Sequence, residues 1–195
     1  MEDPTPDPAT AAQALLREFE DRYGASDVPP VPVERIAKSL LGLLIDEHDD
    51  IRTLPNVPTD QGHLSGMLDP EEGIIWVDQT EARGSPRRKR FTIGHEIGHF
   101  RMHVPDSTGV FADRAEDIVE LPTNDNAESA VPGLKQRERE ADAFARELLM
   151  PELLVTEHAR ATGFNLPALA ERFDVSVPAI RLRLRLLGLL PKYMT

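Results

Sequence analysis

The sequence predicts an α+β fold: a short antiparallel sheet packed on a helix that carries two histidines, followed by a C-terminal helix-turn-helix-like segment. Three observations predict it. Residues 63–78 read as a hairpin about the turn Asp69-Pro70-Glu71-Glu72-Gly73, and residues 86–102 and 137–150 have helical periodicity. Residues 166–187 read as two short helices split by Asp174-Val175-Ser176. A chain of 195 residues suits one domain with a small appendage, since single domains run to ~100–200 residues.

Composition narrows the chemistry. With 40% hydrophobic and 29% charged residues the chain has the make-up of a soluble globular protein. No apolar run approaches the ~20 residues that span a bilayer, so no membrane association is expected. There is no cysteine, which leaves histidine and carboxylate as the metal ligands available. A net charge of -12 argues against nonspecific attraction to nucleic acid. The opening Met1-Glu2-Asp3-Pro4-Thr5-Pro6-Asp7-Pro8 lacks the basic and apolar parts of a secretory signal, so a disordered tail over 1–9 and a cytoplasmic location are expected.

In chain order, Ala12, Leu15, Leu16 and Phe19 predict an amphipathic helix over 9–23. A second helix runs from Val33 through Leu40, and Leu43-Leu44-Ile45 form a short strand. The acidic run Asp46-Glu47-His48-Asp49-Asp50 reads as a solvated loop rather than a cation trap. Strands follow at His63–Leu68 and Ile74–Asp78, the second apolar on both faces and therefore covered by helices. Arg83-Gly84-Ser85-Pro86-Arg87-Arg88-Lys89-Arg90 is the most basic cluster. With Ser85 as N-cap and Pro86 at the first helical position it reads as a helix start rather than a nucleic-acid patch. Four cations beside a helix N-terminus oppose its dipole, so they are expected to meet an acidic partner or the chain's own acidic loops.

The helix over 86–102 places Phe91, His95, Gly98, His99 and Met102 along one stripe. Residues 104–136 are polar, acidic and broken by prolines and glycines, with short strands possible at Val110–Ala112 and Ile118–Val119. The helix over 137–150 carries Glu138, Ala141, Asp142, Ala145, Leu148 and Leu149 on one face, and Pro151 closes it. Buried carboxylates are costly unless paired or bound to metal, so this helix is the natural partner of the first. Helices over 166–173 and 177–187, closed by Gly188, complete the chain.

His95-Glu96-Ile97-Gly98-His99 is H-E-x-x-H, and residues four apart share a helix face, so two imidazoles address one metal ion with Glu96 at its edge. That layout suits a zinc hydrolase. Such a site takes three protein ligands and one open position, and Glu138 is the expected third. Glu140, two positions on, points to roughly the opposite side of an ideal helix. Asp142 is placed to accept a hydrogen bond from the distal ring nitrogen of His95 and so fix its tautomer. Zinc acidifies its water, Glu96 takes the proton as general base, and His103 or His63 is the candidate oxyanion donor. The pentapeptide alone also fits two packed core histidines, and the acidic pair on the second helix tips the balance.

At these two helices the sequence resembles the ImmA/IrrE family of zinc metallopeptidases. Arg90-Phe91-Thr92-Ile93-Gly94-His95-Glu96-Ile97-Gly98-His99 with the trailing His103 is similar to its first motif. Glu138-Arg139-Glu140-Ala141-Asp142-Ala143-Phe144-Ala145-Arg146-Glu147-Leu148-Leu149-Met150-Pro151 is similar to its E-x-E-A-N-x-F-A-x-x-L-L-M-P signature. The resemblance implies a small zincin-like domain over 10–155, a C-terminal helical segment over 156–195, and one zinc ion per chain. It implies His95, His99 and Glu138 as ligands and Glu96 as base. The implied substrate is a helix-turn-helix transcriptional repressor, cleaved to derepress stress or mobile-element genes. Gly94 stands where the family often has Ala, and Asp142 replaces the usual Asn, strengthening a hydrogen bond to a ligand histidine.

Ile74, Ile75, Trp76 and Val77 are expected to receive an extended substrate by strand addition. Two other classes compete. One is a regulator that binds DNA through Arg181, Arg183 and Arg185, which alternate and so spread around their helix; DNA contact is not expected from them. The other is a scaffold that binds a repressor without cutting it, as in a toxin-antitoxin-like pair, for which an intact Glu96 is unnecessary.

Overall fold

A computed structural model describes residues 7–24, 28–54, 57, 64–104, 111–114 and 133–190. Helix α1 (Pro8–Tyr23) starts where Asp7 accepts a hydrogen bond from the Thr10 amide, with Pro8 in the first turn. The expected tail over 1–9 is therefore too long: Asp7-Pro8 is an N-cap signal, and Pro8 and Ala9 are helical. A short helix α2 (Val33–Arg35) continues as a π-helical turn, Ile36–Leu40.

Four strands follow: β1 (Leu44–His48), β2 (Leu64–Asp69), β3 (Ile74–Asp78) and β4 (Phe111–Arg114), in the order β1-β3-β2-β4. The β2–β3 hairpin forms as expected, and β4 adds antiparallel to β2. The sheet is nevertheless mixed, because β1 pairs parallel to β3, Leu44 opposite Ile74 through His48 opposite Asp78. The acidic run is thus not a loop in its first half. Asp46, Glu47 and His48 lie in an edge strand, where charged side chains reach solvent or a partner while the backbone is paired on one side.

Helix α3 (Gln79–Gly84) leads into α4 (Pro86–Met102), which begins at Ser85, whose hydroxyl accepts from the Arg88 amide. The basic cluster at that end meets the chain's own acids. Lys89 Nζ lies 3.0 Å from Glu47 and 3.6 Å from Glu34, and Arg87 and Arg90 each lie 3.3 Å from Asp174. Helix α5 (Leu134–Leu149) then crosses α4. A Cβ on Gly98 would sit 3.1 Å from the Ala141 Cα, so the two backbones touch at that point. The crossing puts the acidic face of α5 opposite the histidine face of α4.

Helices α6 (Glu152–Ala161), α7 (Leu166–Phe173) and α8 (Val177–Leu186) complete the chain. Helix α6 runs through the 155/156 boundary. Leu169, Phe173, Ile180 and Leu184 join one buried cluster with Ile93, Ile97, Leu68, Ile75, Phe144 and Phe19. Ile51, Val57, Leu64 and Met67, with Trp76 against them, form a second cluster that includes the opposite face of the sheet. On α8, Arg183 is buried, donates from Nε to the Met150 carbonyl at 2.9 Å and grips Glu147 of α5 with both terminal nitrogens. Among the described residues no helix is long and apolar enough to cross a membrane.

Candidate metal centre

One turn of α4 buries His95, Glu96 and His99 together. The four-residue spacing brings the imidazoles to one face, with His95 Nε2 and His99 Nε2 2.9 Å apart. Across the helix crossing, Glu138 places Oε2 3.2 Å from His95 Nε2 and Oε1 3.5 Å from His99 Nε2. The three donors lie within 4.8 Å of one another.

Protonation is set by the surroundings. Burial, with a smaller push from neighbouring histidines, lowers the pKa of His99 to about 4 against the pull of the adjacent Glu138 carboxylate. Burial alone raises the Glu138 carboxyl, but the two imidazoles beside it outweigh burial and hold the pKa at about 2. His95 Nδ1 lies 3.0 Å from the Asp142 carboxylate, which keeps the proton on Nδ1 and leaves the Nε2 lone pair facing His99 and Glu138. Lone pairs and one negative charge therefore converge with few protons between them.

That donor set fits a divalent ion. Donors around a tetrahedral zinc with bonds of ~2.1 Å stand ~3.4 Å apart; the two Nε2 atoms are 2.9 Å apart, and each has one Glu138 oxygen at 3.2 or 3.5 Å. Two imidazoles and a carboxylate match a three-ligand site with one open position.

The other expected site residues fall in several places. Glu96 is fully buried, and its Oε1 would be 2.8 Å from a Cβ on Gly66 of β2, so its carboxylate rests against the strand where that strand has no side chain. His63 lies outside the described residues, as does Ile118–Val119. His103 is buried behind His99: its Nδ1 is 3.0 Å from His99 Nδ1 and its Nε2 is 3.0 Å from Glu140 Oε2. Both ring nitrogens are engaged on the side of His99 away from Nε2, which is no position for an oxyanion donor. Ile74, Ile75, Trp76 and Val77 form an inner strand, paired with β1 on one side and β2 on the other. No edge is free there for a substrate strand, which corrects that expectation.

Two residues were missed. Glu140 reaches His103, one turn beyond His99 at the C-cap of α4, although an ideal helix directs it away from Glu138. No sequence signal marks this. Gly66 had a signal: an isolated glycine within a strand pattern marks a close backbone approach.

Comparison with known proteins agrees with the geometry. A family described as IrrE N-terminal-like domain (Peptidase_M78) matches residues 54–185, well over half of the chain. The chain belongs to the ImmA/IrrE metallopeptidase family. Within that family it is 30% identical over 181 residues to the radiation response metalloprotease IrrE of Deinococcus deserti, covering 90% of this chain and 55% of the relative. It is 28% identical over 174 residues to the protein of the same description from Deinococcus radiodurans, covering 88% of this chain and 45% of the relative. The chain thus spans about half the length of these curated relatives. A solved structure described as a Mycobacterium tuberculosis transcriptional regulator shares the fold, with a TM-score of 0.56, 17% identity, and coverage of 90% of this chain and 46% of that one. An ImmA/IrrE chain implies a metal, and His95, His99 and Glu138 form the candidate site among the described residues.

Proposed function

We propose that this chain is a zinc-dependent endopeptidase in which His95, His99 and Glu138 hold the ion and Glu96 is the general base. The observation that supports this best is the convergence of two imidazole nitrogens and a carboxylate at the α4–α5 crossing. When bound, zinc supplies a Lewis acid that brings the pKa of a water to ~7 and polarises the scissile carbonyl. Glu96, buried one residue from His95, takes the proton of the attacking water and passes it to the leaving amine. Asp142 holds His95 in the tautomer that ligation needs. Two imidazoles and one carboxylate favour zinc over manganese or iron.

The substrate is a protein, and the resemblance to ImmA/IrrE peptidases argues for a helix-turn-helix repressor whose cleavage releases stress or mobile-element genes. With β3 internal, an extended substrate pairs with an edge strand. Among the described residues β4 is an edge, and it adjoins β2, the strand against which Glu96 rests, so it is the strand proposed to receive the substrate. Helices α7 and α8 act as a helix-turn-helix-like packing element, since Arg183 is spent on α5 rather than offered to DNA.

The test mixes wild type and Glu96→Gln with the repressor encoded beside this chain. Wild type is expected to cut at one site, Glu96→Gln not at all, and both to retain one zinc per chain. Equal cleavage by both rejects Glu96 as the base, and binding without cleavage by either favours the non-cleaving regulator.

A further inference from the structure

We propose that His103 and Glu140 form a tautomer relay that orients His99. In it Glu140 fixes the His103 proton on Nε2, so that Nδ1 accepts the Nδ1 proton of His99 and the His99 Nε2 lone pair is left facing the metal. This inference rests on the metal reading above and concerns residues that touch neither metal nor substrate. Both are therefore positioning residues.

The argument is one of proton accounting. His99 Nδ1 and His103 Nδ1 are 3.0 Å apart, so one of them donates and the other accepts. If His103 donated, its Nε2 would present a lone pair to the Glu140 carboxylate at 3.0 Å, two acceptors face to face. If His99 donates, His103 Nε2–H points at Glu140 and every contact in the chain is a hydrogen bond. The carboxylate therefore selects the second arrangement. Glu140 is itself held, because Gln136 Nε2 donates to its other oxygen at 2.7 Å.

The two metal-facing histidines are thus braced differently. His95 meets Asp142 directly, whereas His99 meets its carboxylate through one intervening imidazole. Glu138, Glu140 and Asp142 lie at alternate positions of α5, one as ligand and two as braces. Partners of this kind are worth ~10–100-fold in metal affinity.

The test uses the full chain loaded with zinc. Long-range proton–nitrogen NMR of the imidazoles is expected to show His103 as the Nε2–H tautomer and His99 as Nδ1–H. His103→Phe is expected to weaken zinc binding, measured against a competing chelator, by about 10–100-fold at unchanged helicity. His103→Gln, which restores an acceptor oxygen, should recover part of the loss. Glu140→Gln should weaken binding in the wild-type background and add nothing in His103→Phe, because Glu140 acts through His103. A wild-type His103 carrying its proton on Nδ1, or an unchanged zinc affinity in His103→Phe, overturns the relay. Wild type that binds no zinc overturns the metal reading itself, whereas zinc-loaded wild type with the wrong tautomer overturns the relay alone. The NMR result decides the matter even if a variant fails to fold.

Discussion

Single atoms set the limits of this site. A methyl on Gly66 would lie 2.3 Å from Thr92 Cγ2 and 2.8 Å from Glu96 Oε1, too close for any real side chain. Gly66→Ala must push β2 and Glu96 apart, at a cost of about 1–3 kcal/mol for overpacking. Cleavage should fall at least ~10-fold, the equivalent of ~1.4 kcal/mol in the barrier, while zinc content by metal analysis stays at the wild-type value. A pH effect belongs to the same scale. In metal-free protein the His99 pKa is lowered from 6.5 to about 4. Above pH 6.5 both folded and unfolded chains carry a neutral imidazole. Between 6.5 and about 4 only the unfolded chain gains the proton, so stability is lost as pH falls through that window. Urea titrations of stripped protein at pH 7 and pH 5 should show the lower midpoint at pH 5, and His99→Gln should flatten the difference.

At the level of elements, the α4–α5 crossing is set by small residues, and its two glycines are not equivalent. A Cβ at Gly98 meets Ala141 Cα at 3.1 Å and Phe144 Cδ1 at 3.2 Å, whereas one at Gly94 meets nothing closer than Ala145 Cβ at 3.4 Å. Gly94→Ala should therefore gain helix propensity and stabilise by about 0.5–1 kcal/mol. Gly98→Ala should lose more to overpacking than it gains, for a net loss of about 1–2 kcal/mol, read as the shift in denaturant midpoint. Much of this crossing was legible beforehand. The stripe through His95, Gly98 and His99 and the E-x-x-x-D face of the later helix give the pairing, because the 3.6-residue period turns spacing into a face. Helix α4 begins at Pro86 as Ser85 and Pro86 require. The strand order was not legible: parallel pairing of β1 with β3 depends on how a chain crosses over, and local patterning does not encode it. An apolar run such as Ile74–Val77 reports burial on both faces but not which strands lie beside it. Glu140 was illegible for a related reason: the ideal wheel turns it away from Glu138, and its partner on another helix is fixed only by the crossing.

For the molecule as a whole, the site lies inside the main core: Ile93 and Ile97 flank His95 and Glu96 and pack with α5, α7 and α8. Removing the metal should therefore lower global stability, not only activity. Zinc held at 1,000 times its dissociation constant contributes about 4 kcal/mol by mass action, so chelator should lower the melting temperature by several degrees, and Glu138→Gln should reduce that difference. The C-terminal helices belong to the same unit, with Arg183 of α8 bound to Met150 and Glu147. The crossing also closes a long loop of chain. His99 and Glu138 stand 39 positions apart, in a protein with no cysteine. An ion that ties α4 to α5 closes a loop of that length in the folded chain. Unlike a disulfide, the ion is set free when the chain unfolds, so it stabilises by binding the folded state rather than by constraining the denatured one. A metal held by the proposed ligands would thus also staple the two helices, and acid or chelator rather than reductant would release it.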